Sequence, residues 1–266
     1  MAAQRSVNPS ALCGLFGVES GCAARLCDLA KRAERSGRLT FSAFLSPAEA
    51  QAAQAAANGS GIQCHFFGGV EGTERTIACF HEEDEDISPE EYGISTLEIT
   101  WPHQPAGNAP GHRDLLGAAL GIGITRDTLG DILVGEDRAL IFAQSRVAPH
   151  LADSLTSAGR AKLQVALVDG STPVVPPPGR MVHCTVASPR LDAVIAAVCH
   201  LSREDARQAV SRGEVKLRFV PTLHPDAQVK EGDTISLRGT GRFVLRALGE
   251  ENRKGRIPMD VECFGF

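Results

Sequence analysis

Several short runs in this sequence hold residue types that can do chemistry. His112-Arg113-Asp114-Leu115 has the order of a protein-kinase catalytic loop, where an Asn five residues after the Asp holds a metal ion. Ala119 stands at that place here, and no DFG run or upstream glycine loop accompanies it. Gly117, Gly121 and Gly123 make no phosphate cradle, since no strand leads into them and no Lys follows. Close helix packing and a tight turn account for them. Asp127 and Asp131 could act as paired carboxylates, yet Arg126 and the turn at Leu129-Gly130 point to an ion-paired bend. His65, His81, His103 and His112 lack metal-ligand spacing. With no Ser/His/Asp or Cys/His set, the sequence predicts no catalytic residue, metal, cofactor or small-molecule substrate.

Cations offer the other chemistry, the binding of phosphate. Arg203 and Arg207 are four apart on a predicted helix and share a face. Lys216 and Arg218 are expected on one side of a strand over 215–219. From Arg238 to Arg256 there are six basic residues and two acids, expected to project from adjacent strands. Guanidinium groups grip phosphate oxygens through paired hydrogen bonds, and Lys adds point charge. Helix N-termini expected at Ser188 and Ser202 add amide donors. The net charge of -5 hides a segregation: residues 180–266 hold 14 Lys+Arg and 11 Asp+Glu, whereas residues 1–179 hold 13 and 21. The acid run Glu82 to Asp86 reads as a solvated loop. A cationic concave face in the last third, facing an anionic partner, is the expectation.

The elements that would position these groups follow from periodicity. Residues 1–20 are expected to form a loose tail, and Cys22 to Arg35 a helix with Leu26, Leu29, Ala30 and Ala33 on one face. Ser46-Pro47-Ala48-Glu49 is a capping box that starts a second helix, running to Asn58-Gly59. Gln63–Phe67 and Arg75–Phe80 read as strands. Next come a strand Ile94–Trp101, a helix entered at His112, a hairpin over 132–143, a helix Val147–Ala158 and a strand Lys162–Val168. This β-α-β-β-α-β order is that of ferredoxin-like and RNA-recognition folds. Arg113 and Asp114 are expected to pair at the helix start. Phe142 is the one aromatic on the central strands that could stack a base.

Pro173 and Pro176-Pro177-Pro178 mark a stiff linker. Beyond it, Ser188-Pro189-Arg190 reads as an N-cap with Pro at the first helical position. Leu191, Val194, Ile195 and Val198 form one buried stripe, and Ser202 caps a second helix closed by Gly213. The fold class is therefore α+β: an N-terminal tail and α+β module (1–92), an RNA-recognition-like domain (93–170), a linker (171–180) and a C-terminal domain (181–266). No apolar run approaches the roughly 20 residues of a membrane span, and no signal peptide is expected. The eight Cys form no CxxC pair, which suits reduced thiols in the cytoplasm.

Arg190-Leu191-Asp192 is also the tripeptide that carries the catalytic Asp of one pseudouridine synthase family. With 74 residues after it, this Asp is expected to cap or pair locally. The run from Arg190 to Arg242 (RLDAVIAAVCHLSREDARQAVSRGEVKL, then KEGDTISLRGTGRF) resembles the ribosomal-protein-S4-type RNA-binding motif. FFGGVEGTERTIACF, GHRDLLGAALGIGITRDTLGDILV and RGTGRFVLRALGEENRKGRI are similar to the YlmH family, over about residues 40–260. The resemblance implies a non-enzymatic bacterial protein that binds 23S rRNA and tRNA on the large ribosomal subunit. There it would assist rescue and C-terminal tailing of stalled peptides. It implies RNA contacts at Arg190, Ser202, Arg203, Arg207 and Lys216, and at Arg238, Arg242, Lys254 and Arg256 on a basic hairpin. Where the family usually places Asn after a V-x-V strand, this chain has Arg218, which still pairs with phosphate. Two other readings stand beside it. One is an RNA-modifying enzyme with His112 and Asp114 as acid-base pair, and the other a division or photosystem accessory factor.

Overall fold

The computed structural model describes residues 8–82, 85–102, 109–169, 179–253 and 255–264, in two compact units, 1–177 and 178–266. Unit 1 opens with α1 (Pro9–Phe16) in the segment read as a loose tail. Pro9 begins it, the Asn8 side chain accepts from the Ala11 amide at 2.8 Å, and Leu12 is buried. One buried residue is too little to leave a periodic signal. Next come α2 (Ser20–Ser36), β1 (Thr40–Leu45), α3 (Pro47–Ser60), β2 (Gln63–Phe67) and β3 (Thr76–His81). The strands pair antiparallel in the order β1-β3-β2, with the alanine-rich faces of α2 and α3 against them. The capping box forms as predicted: the Ser46 amide donates to Glu49 at 2.7 Å. β1 was not legible in the sequence. It breaks register between Phe41 and Phe44, and there Ser42 Oγ takes the Ala78 amide at 2.9 Å.

The second half of unit 1 comprises β4 (Ile94–Thr100), α4 (His112–Gly121), β5 (Leu129–Val134), β6 (Arg138–Gln144), α5 (Ala148–Ser154), β7 (Ser157–Ala158), β8 (Ala161–Lys162) and β9 (Gln164–Val168). Its antiparallel sheet has the order β5-β6-β4-β9. The helix predicted through Ala158 ends at Ser154, and β7 and β8 form a small hairpin instead. Leu151, Leu155 and Ala158 are all buried at helical spacing, which is why the sequence reads as one helix. Gly159, at φ +56, makes the turn.

Alternation along β6 decides what this sheet can do. Ala139, Ile141 and Ala143 pack toward α4 and α5. Leu140 and Phe142 point the other way and share a core with Phe44, Ile77, Cys79 and Tyr92. Phe142 is fully buried, so it is no platform for a base. Two arginines tie the same junction. Arg75 donates to the carbonyls of Leu129 (2.9 Å), Phe44 (3.1 Å) and Arg126 (3.0 Å), and Asp131 accepts from the Glu74 amide at 2.6 Å. Arg126 donates to the Leu129 and Gly130 carbonyls at 3.0 Å, in place of the predicted ion-paired bend. Burial, with the charge of Arg75 behind it, pushes Arg126 down to about 10.

Unit 2 runs β10 (Arg180–Val186), α6 (Leu191–Cys199), α7 (Arg203–Ser211), β11 (Val215–Leu217), β12 (Val220–Pro221), β13 (Thr234–Leu237), β14 (Gly241–Leu248) and β15 (Ile257–Phe264). The sheet order is β10-β15-β14-β13-β11-β12. The predicted stripe Leu191, Val194, Ile195 and Val198 packs on Val215, Ile235, Phe243, Leu245 and Val261. Arg180 pairs with Cys263, so it belongs to this sheet rather than to the linker. The prolines at 173 and 176–178 lie outside the described residues.

Phe142→Ala is expected to cost unit 1 about 3–5 kcal/mol, the usual cost of emptying a buried aromatic site. Urea denaturation followed by the fluorescence of Trp101, the chain's one Trp, measures it.

Candidate nucleic-acid interface

The entry to α6 differs from the sequence prediction. Ser188 does not cap it; the helix starts at Leu191 after Arg190, which makes no side-chain cap. The first amides are satisfied by the segment 225–229: Leu191 N donates to Ala227 O (2.9 Å) and Asp192 N to Pro225 O (3.0 Å). Pro189 O accepts from Val229 N at 2.8 Å, and Arg190 bridges to Gln228. A β-like contact therefore occupies the place of the cap. At α7 the prediction is met, for Ser202 Oγ accepts from the Asp205 amide at 3.0 Å.

Asp192, with 1% of its side chain exposed, lies between these two helix starts. Arg190 grips it through Nε (3.2 Å) and Nη2 (3.1 Å), and Arg203 through Nε (3.5 Å) and Nη2 (3.2 Å). Burial pushes its carboxyl up, but the hydrogen bonds and charges of the two arginines outweigh that and hold it below the ordinary range. The expectation of local pairing is met, with two partners rather than one. A carboxylate so enclosed and so fully bonded is a scaffold, not a base or nucleophile.

A second clamp holds Arg218. Its Nε and Nη2 meet Asp233 at 2.6 and 2.8 Å, and Nη2 also reaches the Gln228 carbonyl at 3.2 Å. The Asp233 hydrogen bond raises the guanidinium further above its ordinary value. Arg218 does not continue β11 beside Lys216. Arg218 (φ 52) and Phe219 (φ 69) are both left-handed and form the two-residue turn between β11 and β12. That is the geometry of a type I′ turn, which favours Asn. Asn would suit the backbone of this position, whereas Arg218 adopts it with its side chain held by Asp233.

The remaining cations fall into separate groups. Lys216, Ser236, Arg242 and Phe264 stand in register across four strands, on the sheet face opposite α6 and α7. The Arg242 guanidinium lies 4.8 Å from the centre of the Phe264 ring. Arg238 follows β13 with its side chain exposed. Arg207, on α7, makes only a loose 3.8 Å contact with Glu204. Arg256 donates to Thr185 Oγ1 (2.9 Å) and Thr185 O (2.6 Å), while Lys254 lies outside the described residues. The nine predicted residues that are described do not share one face. Arg190, Ser202, Arg203 and Arg207 lie on the helical side, Lys216 and Arg242 on the open sheet side. Sequence reasoning named the cations and the local pairing of Asp192, but not its two partners, and it missed Asp233, the acid that holds Arg218.

The discarded motifs have structural roles. Asp114 accepts from the Gly111 amide at 2.9 Å and so caps α4 instead of pairing with Arg113. The His65 and His81 rings meet at a tilt with centres 4.7 Å apart, and no cluster that could hold a metal occurs among the described residues. None of the eight Cys is in a disulfide, and burial pushes Cys64 and Cys79 up to about 12. No helix among the described residues is long and apolar enough to cross a membrane.

Clamped arginines at two helix starts, beside a sheet whose outer face carries further cations, define a unit suited to a polyanion. Residues 88–171 match the family described as a putative RNA-binding domain in YlmH. The chain is 31% identical over 226 residues to the ribosome-associated protein quality control protein P2 of Bacillus subtilis (strain 168), spanning 85% of this chain and 87% of that protein. A solved structure, the cell division protein ylmH from Streptococcus pneumoniae, is similar at a TM-score of 0.48 and 22% identity, covering 56% of this chain and 90% of that one. This chain belongs to the YlmH family.

Two measurements test the Asp192 clamp. Arg190→Ala or Arg203→Ala leaves one guanidinium in place and is expected to cost about 1 kcal/mol. The double variant strands a buried carboxylate and is expected to cost about 3–5 kcal/mol, more than the sum. Denaturant titration of all three variants gives the coupling. The depressed carboxyl also sets a pH dependence. Its contribution to stability is complete above the unfolded pKa of about 3.9 and is lost as pH falls through the lower folded value. Melting temperature against pH, compared with Asp192→Asn, checks the sign.

Proposed function

We propose that this protein is a non-enzymatic RNA-binding factor that associates with the large ribosomal subunit, through 23S rRNA and peptidyl-tRNA, and assists rescue and C-terminal tailing of stalled nascent chains. The reading rests above all on the similarity, over 226 residues, to a ribosome-associated quality control protein. On this reading unit 2 is the S4-type RNA-binding domain, and the second half of unit 1 is an RNA-recognition-like domain used for docking. Arg207, Ser202, Lys216, Arg238 and Arg242 supply contacts to phosphate, while Arg190, Arg203 and Arg218 present the outward edges of guanidiniums held by Asp192 and Asp233. Lys254 and Arg256 would extend the basic hairpin. Duplex RNA is recognised by shape through phosphate and 2′-OH contacts, which suits cations without exposed aromatics on α6 and α7. The enclosed state of Asp192 and the capping role of Asp114 weigh against an RNA-modifying enzyme.

Sedimentation of the tagged protein through sucrose gradients tests the proposal. Co-migration with free large subunits that carry tRNA is expected at low salt. For about four to six phosphate contacts, affinity is expected to fall about two to three orders of magnitude between about 50 and 200 mM salt. Arg207→Glu with Lys216→Glu, both outside the clamps, is expected to abolish co-migration in a folded protein. Protein confined to the top of the gradient at both salts overturns the reading.

A further inference from the structure

Unit 1 is acidic overall, yet its cations are concentrated. Residues 1–179 hold 13 Lys+Arg, and five of them, Arg25, Lys31, Arg32, Arg35 and Arg38, lie within one stretch of 14 residues. All five are exposed. The first four are on α2, on the side opposite its buried Ala23, Leu26, Cys27, Ala30 and Ala33, and Arg38 follows the closing Gly37. Asp28 and Glu34 are spaced to pair with Arg32 and Arg38, but none of the five cations forms an ion pair among the described residues. Lys31, Arg32 and Arg35 are like charges at neighbouring helical spacings, a repulsion that the two acids of the same helix, Asp28 and Glu34, relieve only in part. Only Arg35 sits in the last turn, where the helix dipole offsets it.

We infer that the outer face of α2 is a second RNA-docking surface, taking the phosphate backbone of an RNA duplex. The inference rests on the proposed RNA-binding role and adds a contact in the unit whose charge argues least for one. Three features select this occupant. The ridge is Lys31 and Arg35, four apart on α2 with a rise of about 6 Å, on the scale of a phosphate row, and Arg38 adds a third cation just past the closing Gly37. α2 contains no aromatic residue to stack an unpaired base, so the contact is to backbone and not to a single strand. Its apolar residues are committed to the core with α3, which leaves no apolar face to enter a lipid surface. The acidic remainder of residues 1–179 repels phosphate elsewhere, so the ridge orients unit 1 as well as adding affinity.

Binding of the full chain to purified large subunits and to a short RNA duplex, over about 50–200 mM salt, tests this. The Lys31→Gln, Arg32→Gln, Arg35→Gln, Arg38→Gln variant is expected to bind both at least about a hundredfold more weakly at the lowest salt, the gap closing as salt rises. Its slope of log affinity against log salt should fall by about three, near 0.9 per lost phosphate contact. A second variant with Arg32, Arg35 and Arg38 all changed to Lys should retain both affinity and slope, since a backbone contact needs charge and not the guanidinium fork. Wild-type affinity and slope in the folded Gln variant overturn the inference while leaving the proposed function intact. So does a loss confined to single-stranded RNA or to vesicles containing anionic lipid. Absence of large-subunit binding by the wild-type chain itself is the separate outcome that sinks the proposed function.

Discussion

A carboxylate with 1% of its surface exposed can stay ionised only beside cations, and Asp192 has drawn in two. Arg190 comes from the turn before α6 and Arg203 from the first residue of α7, so one acid links the starts of the two helices through two side chains. The cost is desolvation of the carboxylate, and the hydrogen bonds and charges of the two half-exposed arginines outweigh it in keeping the group ionised. Segment 225–229 closes the arrangement from the other side, because it takes the helix amides that a Ser cap would have taken. Arg218 and Asp233 repeat the device at the β11–β12 turn, and Gln228 touches both assemblies.

This gives unit 2 two kinds of cation. Arg190, Arg203 and Arg218 are held in fixed planes by acids, so less rotamer entropy is lost when they meet a ligand. Lys216, Arg207 and Arg238 are long exposed side chains without such anchors, and their part is charge rather than geometry. Position cuts across this division, because Arg207 lies on the helical side with Arg190 and Arg203, while strand alternation sends Lys216 and Arg242 away from the helices.

Much of the fold was legible, and the misses have physical causes. Strong periodicity gave α2, α6 and the hairpin β5–β6, and the Ser46 and Ser202 caps were readable because each supplies a side-chain acceptor to a specific amide. β1 was hidden because a hydroxyl in its middle replaces a ladder bond. α5 was overextended because Leu155 and Ala158 mimic the helical period while serving another element. Ser188 was read as a cap because a long-range contact from residues 225–229 leaves no local trace. For the site, residue types and spacing named the cations, but side-chain partners such as Asp192–Arg203, eleven positions apart, depend on how two helices meet.

The two-sided burial of β6 bears on where one inherited module ends and another begins. The stretch that matches the family domain, residues 88–171, includes Leu140 and Phe142 but not Phe44, Ile77 or Cys79, which cover them. Cut out along those limits, the fragment would carry an uncovered apolar sheet face and would also lose the Arg75 guanidinium that binds the Leu129 carbonyl. Sequence kinship and folding autonomy therefore draw different borders in this chain. The first half of unit 1 stands to the second as a lid built into the core, and any rearrangement of modules in this lineage has to carry both together.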